Sequence, residues 1–339
     1  MAISVTAYKR AFPIKFRSSV ALHAVNAGNL MEKLTAKNAE MLAVKEMKAT
    51  TSPTALGRAS LEIVSSKSST LARLLEREGC VSVPGVLSHK TCDALMQYIN
   101  DENINLTRVV NEKTGVDQAY LFDEYFGGVN CRGTGKVATR QDMFLPLTNP
   151  IVRGGLNEAF TKLQPLLEET VTVDGMIHEC SSFIGDKGAA RQCVHADTIV
   201  LPCPQYPQAS MEPLYTCFVA LQDVDDAMGH TVFYPRTHTP ETHAMWNAAQ
   251  KKASSPSFVK SLSAVKSGLK KGDVSIFDSR LLHCGEAQES SQRRILFYFT
   301  LSKQSHWPLQ GGLHGANSIR SADRYTTRVG DILKGGGVS

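Results

Sequence analysis

No stretch of this 339-residue chain approaches the ~18 consecutive apolar residues a membrane-spanning helix needs. Its eight cysteines include no Cys-x-x-Cys pair, which removes zinc knuckles and thioredoxin-type chemistry. No His-Glu-x-x-His occurs, so a zinc protease of that kind is excluded. The glycine-rich Arg132-Gly-Thr-Gly-Lys136 fails the phosphate-loop spacing, because Thr134 rather than lysine follows Gly133. A basic excess is also missing from the body. The formal net charge is +5, but residues 1–31 hold Lys9, Arg10, Lys15 and Arg17 and no acid, and removing those four charges leaves +1. A near-neutral body argues against a nucleic-acid surface, whose footprint is a basic face.

What remains is the composition of a globular chain, 42% hydrophobic and 20% charged. The acid-free start, with Ser4, Thr6, Ser18 and Ser19 among apolar residues, reads either as an organellar transit peptide or as a disordered basic arm. The first reading places the protein in a mitochondrion or plastid and the second in the cytoplasm. The terminal Gly-Val-Ser339 is not the Ser-Lys-Leu peroxisomal address. Residues 32–69 begin helical and dissolve into the serine-rich Ser65-Ser-Lys-Ser-Ser69, a linker. Cys80, Cys180 and Cys217 sit in apolar strands as small buried hydrophobes, in keeping with a reducing compartment.

The folded body is expected over 70–305, with 306–339 a tail holding one short helix near 324–333. Leu71, Leu74 and Leu75 lie at helical spacing before Gly79; Cys80–Val83 reads as a strand, and Ser88 as the cap of a helix burying Cys92, Leu95, Met96 and Ile99. Residues 101–139 are polar and glycine-rich and read as a long insertion beside the site, with a second loop at 202–213. Asn149-Pro150 opens a helix to about Glu169. Strand signals follow at 176–183, 193–200, 216–222, 231–234, 273–277 and 294–301, with a helix over 239–252 between them. Helices first and short strands after give an α+β chain built on a β-sandwich or barrel.

The chemistry centres on Arg191-Gln-Cys-Val-His-Ala-Asp-Thr198. On a strand, the two-residue period puts His195 and Asp197 on one face. A ferrous ion takes two imidazoles and one carboxylate on one side and keeps its other positions open. A second imidazole is available from His283, in Asp278-Ser-Arg-Leu-Leu-His283-Cys-Gly285, and the pair Arg293-Arg294 opens the next strand.

In these pieces, together with Glu78–Leu87 and Met228–His238, the sequence resembles the phytanoyl-CoA dioxygenase-like family of iron(II)- and 2-oxoglutarate-dependent oxygenases, over about residues 70–305. The resemblance implies a double-stranded β-helix (jelly-roll, cupin-like) core with flanking N-terminal helices. It implies His195, Asp197 and His283 as iron ligands and Arg294, with Arg293 in reserve, as the anchor of the far carboxylate of 2-oxoglutarate. Gln192 and Thr231 fall in family segments that line the co-substrate pocket. Arg140 and Asp142 fall where the family meets substrate, although an exposed salt bridge is the plainer reading of each. Asp278, Ser279 and His238 read as residues that orient the ligands. The family usually has glycine where Arg236 stands, leaving that turn's conformation open.

The implied reaction uses dioxygen, oxidises a small-molecule metabolite and releases succinate and carbon dioxide, by hydroxylation or by desaturation or ring closure. The carboxylate of Asp197 favours these over halogenation, in which chloride takes the carboxylate's place. The alternative is a non-catalytic, cupin-like ligand-binding protein. A monomer or homodimer is expected, and no nucleic-acid partner.

Overall fold

The computed structural model describes residues 68–114, 132–134, 137–200, 213–252, 254–303 and 327–334. The N-terminal arm, all of the expected linker but its last two residues, the loop at 202–212 and most of the tail expected from sequence lie outside the described residues.

In chain order the elements are α1 (Ser68–Glu78), β1 (Cys80–Val83), α2 (His89–Thr114), β2 (Arg132–Thr134), β3 (Val137–Phe144), α3 (Pro150–Thr170), β4 (Met176–Gly185), β5 (Leu214–Ala220), β6 (Thr231–Phe233), α4 (Pro240–Lys251), α5 (Ser255–Lys260), β7 (Val265–Lys266), β8 (Val274–Asp278), β9 (His283–Gly285), β10 (Arg294–Ser302) and α6 (Val329–Lys334). Seven strands form one sheet in the order β1-β8-β5-β10-β4-β3-β2, and three form a second, β7-β6-β9. Their pairings are antiparallel throughout, and the two sheets make the jelly roll of an α+β protein.

The large sheet is apolar on one face and mixed, polar and aromatic, on the other. Along β10, Ile295, Phe297, Phe299 and Leu301 join Leu95, Leu156 and Phe160 of the helices in one buried cluster. Phe160 meets Phe299 edge to face at 5.3 Å. The alternate residues Arg294, Leu296, Tyr298 and Thr300 face the other way, into the roll. The helices holding the outer face start where capping predicts: the Asn149 side chain accepts from the N–H groups of Ile151 and Val152, and Ser88 Oγ accepts from Thr91 N–H.

Two expectations need correction. The helix opened by Ser88 does not stop near 100. It runs to Thr114, because Ile99, Asn103, Leu106 and Val110 continue the buried stripe, so the insertion begins later and residues 115–131 lie outside the described residues. Nor is 193–200 a strand. His195 exchanges both backbone hydrogen bonds with His283, at 3.0 and 2.8 Å, and then the N–H groups of Asp197 and Thr198 both close on the Ser279 carbonyl. Two donors converging on one acceptor bend the chain off the ladder and leave a single isolated bridge.

Arg236 has φ +65°, the left-handed conformation that glycine tolerates without cost, which settles the turn left open by sequence. Its guanidinium forks onto Glu78 at 2.7 and 2.8 Å, tying the turn to the end of α1.

Candidate metal and co-substrate site

His195, Asp197 and His283 come together although 191–200 is irregular. The bridge to β9 sets the two histidines side by side, with ring centroids 4.5 Å apart, and the turn over Ser279 brings in the carboxylate. His195 Nε2 lies 3.6 Å from Asp197 Oδ1, and His283 Nε2 lies 3.5 Å from Asp197 Oδ2. One ligand atom from each residue falls within 4.8 Å of the others.

Both imidazoles are held in one tautomer. His195 Nδ1 is 2.8 Å from the Cys193 carbonyl, and His283 Nδ1 is 2.9 Å from the Leu281 carbonyl. A carbonyl only accepts, so each Nδ1 must carry the proton and each Nε2 must turn its lone pair toward Asp197. Burial, reinforced by His195 and opposed by Asp197, lowers the pKa of His283, keeping that ring neutral as a metal requires.

Arg294 lines the same cavity from β10, and its guanidinium is almost wholly buried. It donates to the Gly229 carbonyl, while its Nε is buried without a hydrogen-bond partner among the described residues. Burial, and secondarily the nearby Arg140 charge, lowers its pKa to about 10. A desolvated guanidinium with unused donor capacity is suited to a carboxylate that enters with a ligand. Arg293 faces the opposite side and is committed to Asp186 at 2.7 and 2.9 Å.

Gln192 and Thr231 also line the cavity. Gln192 Oε1 accepts the Gly285 N–H at 2.7 Å, which fixes its amide. A Cβ at Gly285 would fall 2.8 Å from that same oxygen, so this wall depends on the missing side chain.

Arg140 and Asp142 are buried, not exposed ion pairs as the plainer reading of the sequence expected. β3 lies between β2 and β4, and Arg140 is opposite Gly185, which is in turn opposite Arg294. Arg140 Nη2 donates to the Glu286 carbonyl at 3.3 Å, and Asp142 accepts the Tyr298 hydroxyl at 2.8 Å from behind the cavity wall. Of the residues read as orienting the ligands, Ser279 holds Asp197 through its backbone. Asp278 instead clamps Arg280, and His238 bonds the Glu76 carbonyl on α1.

Sequence reasoning missed Glu179, Thr216, Phe183 and Phe218, which complete the lining. The signal was present in Met176-Ile-His-Glu-Cys-Ser-Ser-Phe183, where an acid stands at alternate spacing with Ser181 and Phe183 in a strand buried on both faces.

The sequence profile of the family described as phytanoyl-CoA dioxygenase matches residues 75–296, the greater part of the chain. No curated protein matches. Among solved structures, the non-haem alpha-ketoglutarate-dependent epimerase SnoN from nogalamycin biosynthesis shares 17% identity at a TM-score of 0.50, covering 76% of this chain and 97% of its own. The carbocyclase SnoK from the same biosynthesis shares 19% identity at 0.47, with 74% and 90% covered. HygX from Streptomyces hygroscopicus, with nickel and 2-oxoglutarate bound, shares 14% identity at 0.48, with 74% and 96% covered. At such identity the likeness to SnoN speaks to the fold, while the profile match speaks to descent and sets aside the non-catalytic scaffold. The chain belongs to the phytanoyl-CoA dioxygenase family, and it is a 2-oxoglutarate-dependent non-haem iron enzyme using iron(II), 2-oxoglutarate and dioxygen.

Proposed function

We propose that this enzyme oxidises a small-molecule metabolite, by hydroxylation or by desaturation or ring closure, with release of succinate and carbon dioxide. In this reading His195, Asp197 and His283 hold the iron, and Arg294, aided by Thr231 and Gln192, holds the co-substrate. The observation that carries it is the convergence of two Nε2 lone pairs and one carboxylate, with both Nδ1 protons tied to backbone carbonyls. Iron(II) with 2-oxoglutarate and dioxygen supplies the oxidising power to break a substrate C–H bond.

The protein's own part is placement and exclusion. The Cys193 and Leu281 carbonyls take the Nδ1 protons, which fixes both rings in orientation with Nε2 toward Asp197. The buried Arg294 guanidinium favours a carboxylate at its end of the cavity, and Phe183, Phe218 and Tyr298 keep bulk water from the space between. Arg140, behind Arg294, adds positive charge at the same pole.

Anaerobic titration of the apo-protein with iron(II) and 2-oxoglutarate tests this directly. A weak visible charge-transfer band should form in wild type, vanish in His283→Ala and weaken in Arg294→Ala. A well-folded wild type without the band refutes the assignment of these residues.

A further inference from the structure

The cavity is polarised along its length. Strand register puts Arg294 and Arg140 in one layer, on either side of Gly185. Three layers along β10, Thr300 lies opposite both Glu179 and Thr216. Glu179 is a buried carboxylate lining the cavity, and the reading of the site given above leaves it no part. Among the described residues Arg294 is the one arginine or lysine in that lining.

The surroundings of Glu179 offer acceptors and aromatic surface. The Tyr298 hydroxyl spends its proton on Asp142, so its oxygen acts here as an acceptor, with the Ser181 hydroxyl also beside it. Burial first, then the Asp142 and Glu179 charges, holds that phenol well above its ordinary pKa, so it remains protonated. Phe218 is only half-buried and meets Tyr298 edge to face at 5.5 Å, with Phe183 stacked on it at 6.4 Å. An ammonium group has three donors, no acceptor and an affinity for aromatic faces. It complements this wall on every count. An acyl-CoA thioester or a free carboxylate would instead set like charge against Glu179.

We infer that the substrate is a small protonated amine, its ammonium held by Glu179 beside the Phe218 and Tyr298 rings and its reacting carbon turned toward His195, Asp197 and His283. This rests on the site reading above and narrows it to a substrate class.

The test uses the full-length protein under excess 2-oxoglutarate and redox-inert zinc, which occupy Arg294 and Asp197, and three probes on one carbon frame: cyclohexylamine, N-cyclohexylacetamide and cyclohexanecarboxylate. Saturation-transfer NMR titrations should show the amine binding about tenfold or more tighter than either partner, a gap that one charge-assisted hydrogen bond supplies. Glu179→Gln should erase the preference. An amine signal that is absent, or equal to that of the acetamide, overturns the inference, as does a preference that survives Glu179→Gln. Circular dichroism checks that the variant folds; if it does not, the wild-type series decides alone. The wild-type charge-transfer band is a separate measurement. A band without amine preference therefore refutes only the substrate class, whereas amine preference without a band refutes the metal and co-substrate assignment.

Discussion

Replacing Arg294 with methionine should stabilise the ligand-free protein while removing its response to 2-oxoglutarate. The fold lowers the pKa of this guanidinium from its ordinary value in the unfolded chain to about 10, through burial and then Arg140. For a base, a lowered folded pKa means the charged form is disfavoured in the fold. The penalty stands in full at any pH below about 10, neutral pH included, and is relieved only as pH rises from there toward the ordinary guanidinium value. At 1.36 kcal/mol per pKa unit it amounts to about 3 kcal/mol. Methionine keeps an unbranched stem and sheds the charge, but leaves the Gly229 carbonyl without its donor, a loss of roughly 1.5–3 kcal/mol. The balance is a gain of about 1 kcal/mol, or roughly 2–4 °C for a domain of this size. The co-substrate, deprived of the partner for a buried carboxylate, loses about 3–5 kcal/mol. Thermal melts with anaerobic iron(II), with and without 2-oxoglutarate, read both effects together. At a concentration 100-fold above its dissociation constant the ligand should add about 2.7 kcal/mol to wild type and nothing to Arg294→Met. A variant that melts well below wild type, or that keeps the wild-type shift, would refute the reasoning.

Acid should weaken the fold through His178. Burial lowers its pKa from 6.5 to about 4, so its neutral form stabilises the fold above pH 6.5 and that stability is lost as pH falls toward 4. The loss amounts to about 3 kcal/mol over that interval, and urea denaturation at pH 7 and 4.5 should show a smaller difference in His178→Gln. At the turn between Tyr234 and Thr237, Arg236→Gly should fall within about 1 kcal/mol of wild type, because relief of the left-handed strain offsets the lost exposed pair with Glu78. Arg236→Val keeps the strain and loses the pair, and denaturant titration should show it about 2–3 kcal/mol less stable.

Much of the site was readable because its residues lie close in sequence or repeat with period two. His195-Ala-Asp197 needed only the direction of successive side chains, and that survives the bend that keeps the segment from being a strand. Alternation puts Arg293 and Arg294 on opposite faces of the strand, as they are found, while the preference for Arg294 came from the family resemblance. The family resemblance supplied what spacing could not, namely that His283 is the second imidazole. Arg140 and Asp142 looked like surface charges because composition does not show whether a strand lies at an edge or within a sheet. Only the pairing of β3 with β2 on one side and β4 on the other reveals that it lies within the sheet. Glu179 carried a local signal, an acid in alternation with Ser181 and Phe183, but which face of that strand turns inward is set by register among β4, β10 and β5. The length of α2 was hidden by Asp101, Glu102 and Asn105, polar residues on its solvent side that read as a loop.

The two-faced large sheet separates inheritance of the fold from inheritance of specificity. On β10, odd-numbered positions from Ile295 to Leu301 are pressed against helices, while Arg294 and Tyr298, at even-numbered positions, line the cavity. Neighbouring codons therefore answer to different selection. A lineage can exchange Tyr298, or Glu179 on β4, for a new substrate while Phe297, Phe299 and Cys180 go on holding the scaffold. Tolerance to substitution along these strands should alternate residue by residue, with cellular abundance falling at one parity and product formation at the other. A shared scaffold can in this way pass to descendants with different substrates.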